Sequence, residues 1–239
     1  MKEPWNKLIC LTIFSVAMGF LEAVVVVYLR QLYYPEGFSF PLKPIALEGL
    51  SLEYLREIST IVMLVTVGGV AGRNFHERVA FVLYSFGLWD IFYYVWLKVL
   101  LNWPPSLLTL DILFLLPVVW VGPVLAPIIC FLTMAAIAGC ILYFHRTGYP
   151  LRMHSPELAL LTAGTIIIFA TFVWDYSRII IQGGFLPQLF SLGKDPLFQK
   201  MSANYLPTSY HWSLFLFGEF LVILSFLMFF KRIRSAGRN

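Results

Sequence analysis

Between Leu8 and Leu29 the chain carries a single charged residue, Glu22. As a helix rising ~1.5 Å per residue, an apolar run of that length crosses the ~30 Å hydrocarbon core of a bilayer. Lipid offers no hydrogen bonds, so a segment placed there must satisfy its own backbone groups, which an isolated run can do only as a helix. Comparable runs recur at about 56–72, 79–101, 119–144, 157–181 and 211–230. These spans predict an all-α integral membrane protein, a six-transmembrane-helix bundle forming one polytopic domain over residues 1–239. With 59% hydrophobic and 13% charged residues, the chain has too little polar surface for a soluble domain of this size. The first run continues well past the small triplet Ser15-Val16-Ala17, which favours a retained helix over a cleaved signal peptide.

The punctuation between spans is specific in places. Ser51 is a candidate N-cap for the second helix, with Glu53, Arg56 and Glu57 suited to an exposed first turn. Gly68 with Gly72, and Ala135 with Gly139, have the four-residue spacing of small residues that lets helix backbones approach closely. Ser106 to Leu116 is apolar but too short to cross, and Pro117 interrupts it. A short re-entrant or interfacial helix before the fourth span is expected there, carrying Asp111. Ser155-Pro156-Glu157 reads as an N-cap, a proline at the first helical position and an acid near the positive helix end. Asp195-Pro196 starts a short surface helix through about Asn204. Tyr33, Tyr34, Trp103 and Trp212 fit an aromatic belt at the outer interface.

Charge sets the expected topology. Of the 17 Lys and Arg, ten lie at the amino terminus, at 73–78, at 146–152 and at the carboxyl terminus, all on one side of a six-span chain. The positive-inside rule puts that side, with both termini, in the cytoplasm. A multi-pass protein of a bacterial or archaeal plasma membrane is expected, with the lipid bilayer and other membrane subunits as candidate partners. The net charge of +4 does not point to nucleic acid, because no basic stripe, zinc spacing or RNP-like motif accompanies it. Cys10, Cys130 and Cys140 form no CxxC and read as buried thiols rather than disulfides or metal ligands.

The acids inside the spans need an explanation. Glu22, Asp90 and Asp175 lie on the first, third and fifth helices, and Glu219 lies on the sixth. Counting from the outer helix ends at ~1.5 Å per residue, they sit roughly 9–16 Å deep, in one layer. At about 2.5–3.5 kcal/mol for each charge, four unpaired acids would cost on the order of 10 kcal/mol. Arg30, Lys98 and Arg178 are the nearest bases in sequence. Asp175 and Arg178 are three apart and suited to an intrahelical pair, and Thr171 and Gln182 extend that face into a polar stripe. Glu22 to Arg30 and Asp90 to Lys98 are each eight apart, roughly 12 Å along the axis, so partners must come from other helices. Candidate binding residues are therefore Glu22, Asp90, Asp175, Arg178 and Glu219. Arg30, Lys98, Asp111, Thr171, Gln182 and His211 are secondary.

Function is less constrained. The chain has no GxSxG elbow, HExxH, P-loop or dinucleotide fingerprint. His76, His145 and His154 fall in turns and His211 at a helix end, which argues against a haem held within the bundle. No metal site is assigned, no catalytic residue is identified, and the cofactor is unknown. The leading expectation is binding or translocation of a small solute, ion or proton through the acidic layer. An alternative is a membrane enzyme or redox-complex subunit, with Trp89, Phe92, Tyr93, Tyr94 and Trp96 around a lipophilic substrate such as a quinone or isoprenoid. A structural membrane subunit without chemistry is the third.

Overall fold

The computed structural model describes residues 3–43, 47–187, 195–207 and 209–237. Lys2 and Arg238 of the terminal basic segments, and stretches of the connections after the first and fifth spans, lie outside the described residues. In chain order the elements are α1 (Glu3–Tyr33), α2 (Leu47–Ala71), α3 (Phe75–Leu101), β1 (Leu110–Phe114), β2 (Trp120–Pro123), α4 (Leu125–Arg146), α5 (Ser155–Gln182), α6 (Pro196–Ala203) and α7 (Trp212–Ala236). All the helices except α6 are long and apolar enough to cross a membrane, which makes the chain a polytopic membrane protein with six candidate spans.

One end of the bundle gathers the basic turns. There Lys7 Nζ donates to the Ala71 carbonyl at 2.7 Å, His76 meets the Leu151 carbonyl at 2.8 Å, and Asn74 meets His145 at 2.8 Å. Arg232 Nε of α7 donates to Glu157 Oε1 of α5 at 2.6 Å. The β-ribbon lies at the other end, called the hairpin end below.

Helix α3 packs against α1, α2 and α4, while α5 and α7 form a second pair. Close approach is licensed by glycine. A Cβ added to Gly19 would lie 2.8 Å from the Trp89 carbonyl of α3, and one added to Gly68 would lie 2.6 Å from Val82 N. Gly164 and Gly218 do the same for α5 and α7, a Cβ on the former falling 2.7 Å from the Gly218 carbonyl. Small residues at a crossing let backbones pack where lipid gives no hydrophobic drive. Gly68 thus acts as its spacing suggests. Gly139 does not, because it is exposed with nothing within 4 Å of its would-be Cβ.

Four local expectations are corrected. Residues 110–123 form an antiparallel two-stranded ribbon, with Leu110 opposite Pro123, Asp111 opposite Gly122 and Ile112 opposite Val121, in place of a half-helix. A short apolar run bounded by prolines does not distinguish strand from helix by periodicity, and here a second extended segment is near enough to pair with it. Trp120 Nε1 closes the turn on the Leu116 carbonyl at 2.7 Å. The fourth span consequently begins at Leu125, where Pro127 sits in the first turn and needs no helical donor. Helix α2 begins at Leu47, so Ser51 lies inside the helix instead of at its N-cap, and the acids after it are buried. Helix α5 is capped by His154, whose N–H donates to Glu157 Oε2 at 2.8 Å. The surface helix α6 forms as expected, Asp195 Oδ1 accepting from Leu197 N at 2.8 Å and Phe198 N at 3.1 Å.

Candidate functional site

Glu53, Arg56, Glu57 and Thr60 fall at i, i+3, i+4 and i+7 of α2, one helical face, turned toward α1 and the ribbon. Arg56 Nη1 pairs with Glu22 Oε1 of α1, and Arg56 Nε donates to Glu53 Oε2 at 2.8 Å. Thr60 Oγ1 donates to the second Glu22 oxygen at 3.3 Å. Glu57, 4% exposed, accepts the Leu115 N–H of the ribbon turn on both oxygens at 3.0 Å. The base that compensates Glu22 is therefore Arg56. The helical face of alternating charge was the signal for it in the sequence, and its placement in an exposed first turn concealed it.

Asp111, on β1, joins the same region from the hairpin end. Its Oδ1 lies 3.4 Å from Arg30 Nη2, and its Oδ2 accepts from the Tyr94 hydroxyl at 3.3 Å. The Arg30 guanidinium lies over the Trp103 ring at 3.7 Å and within 4.8 Å of the Phe38 centroid, so α1 and the connections after α1 and α3 close around one cation. Burial pushes the Asp111 carboxyl up to about 6, against the pull of Arg30.

Asp90 connects this network to a second feature. It faces the charges of Glu22 and Asp111, is 9% exposed, and its Oδ2 is buried with no protein partner. It also lines a cleft of about 910 Å³ between the α3–α4 and α5–α7 pairs, whose walls include Leu83, Phe86, Phe131, Ile137, Phe169 and Phe226. The ribbon contributes Leu113, Phe114 and Trp120, the last stacked on Phe172 at 5.7 Å. The cleft runs from His76, Leu151 and Arg152 near the basic end to Asp90, Trp89 and Glu219. Fourteen positions separate His76 from Asp90 on α3, so at ~1.5 Å each the cleft extends roughly 21 Å along the bundle. Glu219, from α7, is 4% exposed and accepts from Thr133 Oγ1 at 3.0 Å. Trp89 Nε1, like Asp90 Oδ2, is buried without a hydrogen-bond partner.

The expected single acidic layer divides into separate settings. Glu22 pairs with Arg56 and Arg30 with Asp111, while Asp90 feels the charge of both acids and shares the cleft with Glu219. Asp175, Arg178 and Gln182 join neither. Asp175 accepts from the Tyr205 hydroxyl, Arg178 and Gln182 are exposed, and among the described residues no ion pair joins Asp175 to Arg178. A three-residue spacing permits that pair, but the face turns outward and the acid finds a phenol instead. Thr171 shares a hydrogen bond with the Tyr210 hydroxyl at 2.9 Å, and His211 meets the Trp174 ring edge-on at 4.8 Å. Lys98 folds back to donate to the Asn102 and Pro104 carbonyls at 3.3 and 3.0 Å, closing the end of α3. Among the described residues no group of three or more His, Cys, Asp or Glu is arranged to hold a metal ion.

Fold and site together define a polytopic helical membrane protein with a buried charge network beside an apolar cleft. No family model, curated protein or solved structure matches the chain.

Proposed function

We propose that this protein binds an elongated lipophilic molecule in the cleft, its polar head lying between Asp90 and Glu219. The observation that supports this is the composition of the wall: a long space lined almost wholly by aliphatic and aromatic side chains ends at two buried carboxylates. A pathway for a small solute or ion needs polar groups along its length to replace water, and between its mouth and its deep end this cleft offers little beyond the Thr165 hydroxyl. Binding sites for apolar ligands have the opposite pattern, mostly hydrophobic with a few polar groups that fix orientation. An anionic head is disfavoured there, since no base lines the deep end. The basic turns place the His76 mouth at the cytoplasmic leaflet on this reading, with a bacterial or archaeal plasma membrane as the setting. Whether the molecule is a substrate, a carried lipid or a structural component follows from its identity.

The test is solvent extraction and mass spectrometry of protein purified in mild detergent. Thr165 lines the cleft and is exposed, so Thr165→Trp fills the space at little cost to folding. A lipophilic species held in near-stoichiometric amount by the parent protein and lost from that variant supports the reading. Identical background lipid in both overturns it.

A second reading, exchange of a proton or small cation through the network, is favoured by one further observation. Glu22, Glu53, Glu57, Asp90 and Asp111 are five carboxylates against the guanidinium groups of Arg30 and Arg56 in the same region. Buried charge of that imbalance calls for protons or a cation. Vesicles reconstituted with the protein and an internal pH dye test it, with Asp90→Asn expected to abolish any proton flux.

A further inference from the structure

The mouth of the cleft carries a cation without a counter-ion. Arg152 lines it, is exposed, and forms no ion pair among the described residues. Its backbone is pinned from two sides. His76 Nε2 meets the Leu151 carbonyl at 2.8 Å, and Arg232 Nη2 donates to the Arg152 carbonyl at 2.6 Å. The acids nearby are already engaged. Glu157 accepts from Arg232 Nε and Nη2 at 2.6 and 2.7 Å and from the His154 N–H at 2.8 Å. Glu77 accepts the Arg73 N–H at 2.9 Å. Phe75, Thr165 and Phe169 also line the cleft and are exposed, so its side stands open from this cation inward. No carboxylate lines the walls between Arg152 and the deep end.

We infer that the ligand is polar at both ends and that its outer end is an acid, a carboxylate or phosphate monoester held by Arg152 at the mouth. The inference rests on the lipophile reading above and adds the chemistry of the second end. A guanidinium presents a planar fork of donors that matches the oxygens of either anion. Its pinned backbone holds that fork at the cleft edge, where an exposed group is free to meet a ligand. The deep end selects the other way, because Asp90 and Glu219 line it and no base does. One end of the cleft thus attracts an anion and the other repels it, which fixes the direction in which a long acid lies. The two are separated by roughly 21 Å, the distance from His76 to Asp90 along α3. An ammonium at the mouth would meet like charge, and an uncharged ester would leave Arg152 to water.

The experiment measures binding of tritiated ω-hydroxyhexadecanoate and of its methyl ester to the intact protein in neutral detergent, above neutral pH. The pair differs only in charge at one end, and an extended chain of this kind is about as long as the cleft. After correction for micelle partitioning, the acid is expected to bind about two- to fivefold tighter than the ester, the range of an exposed ion pair. That advantage should shrink as salt is raised. Arg152→Gln should abolish it and leave the ester unchanged, and the ratio between parent and variant cancels the partitioning. Arg146→Gln, exposed at the same end but outside the cleft, should preserve it. Acid and ester binding equally would overturn the inference, as would an advantage lost equally in both variants, which would assign it to the general field of the basic end. Inorganic phosphate displacing the acid beyond the effect of chloride at equal ionic strength would also overturn it, since the mouth would then hold a soluble anion. The acid-to-ester and salt comparisons are read on the unmodified protein, so a variant that misfolds does not spoil the test. If neither compound binds while solvent extraction of the parent protein still yields a retained lipophile, the inference fails alone. If no lipophile is retained either, the underlying reading fails with it.

Discussion

Arg56 of α2 reaches across to the carboxylate of Glu22 on α1, 34 positions away in sequence, and holds Glu53 of its own helix with a second nitrogen. This joins the two most weakly packed neighbours of the α1–α3 group through charge rather than shape. Removing one member leaves a partly buried ion without its partner, which costs more than the pair contributes.

Arg56→Met is therefore expected to destabilise the bundle by about 2–3 kcal/mol, somewhat below the value for fully buried pairs because Arg56 keeps some exposure. Adding Glu22→Gln to that variant should recover much of the loss. Equilibrium unfolding in mixed detergent measures both, and a double variant as unstable as the sum of the two single ones would contradict the coupling.

Asp111 gives the ribbon a pH dependence. Its carboxyl titrates near 6 in the folded protein and near 3.9 when unfolded, so between those values the folded state holds more protons. Stability then rises as pH falls through 6 and levels off below about 4, a change on the order of 2–3 kcal/mol from this group. Asp111→Asn should flatten the thermal midpoint over that window. A parent protein more stable at pH 7 than at pH 5, with the asparagine variant showing the same trend, would contradict the assignment.

Gly164→Leu is expected to prevent α5 and α7 from closing, since its side chain would start 2.7 Å from the Gly218 carbonyl. Gly139→Leu meets open space and should be tolerated. Size-exclusion profiles of the two variants separate the outcomes, the first aggregated and the second monodisperse.

Arg178→Ala should change stability by no more than about 0.5 kcal/mol, because Arg178 is exposed and has no ion pair among the described residues. Tyr205→Phe, which strips the donor from Asp175, should instead loosen the connection that carries α6. Hydrogen exchange over Pro196–Tyr205 reads that loosening directly.

Asp175 and Glu22 part company at the point where spacing along one helix gives way to packing between helices. Asp175-Tyr176-Ser177-Arg178 has ideal local spacing, yet its helix presents that edge outward and the acid pairs with Tyr205. Glu22 has no base within reach on its own helix, and its partner Arg56 reads as part of an exposed first turn when the helix is started after Ser51 instead of at Leu47. Spacing along one helix states which side chains share a face. It does not state which way the face turns, and that rotation depends on where neighbouring glycines allow backbones to touch.

What the sequence determined by itself is the set of six apolar spans, the basic turns between them and the presence of acids within them. Each is a local property, because a bilayer-crossing helix satisfies its own backbone and announces itself by apolar length alone. Tertiary structure decided the rest. Residues 110–123 became a ribbon because two extended segments could pair, Arg56 rather than Arg30 met Glu22, and Asp90 came to face both a charge network and an apolar cleft. Those outcomes depend on contacts between distant segments, whose energies no single helix contains.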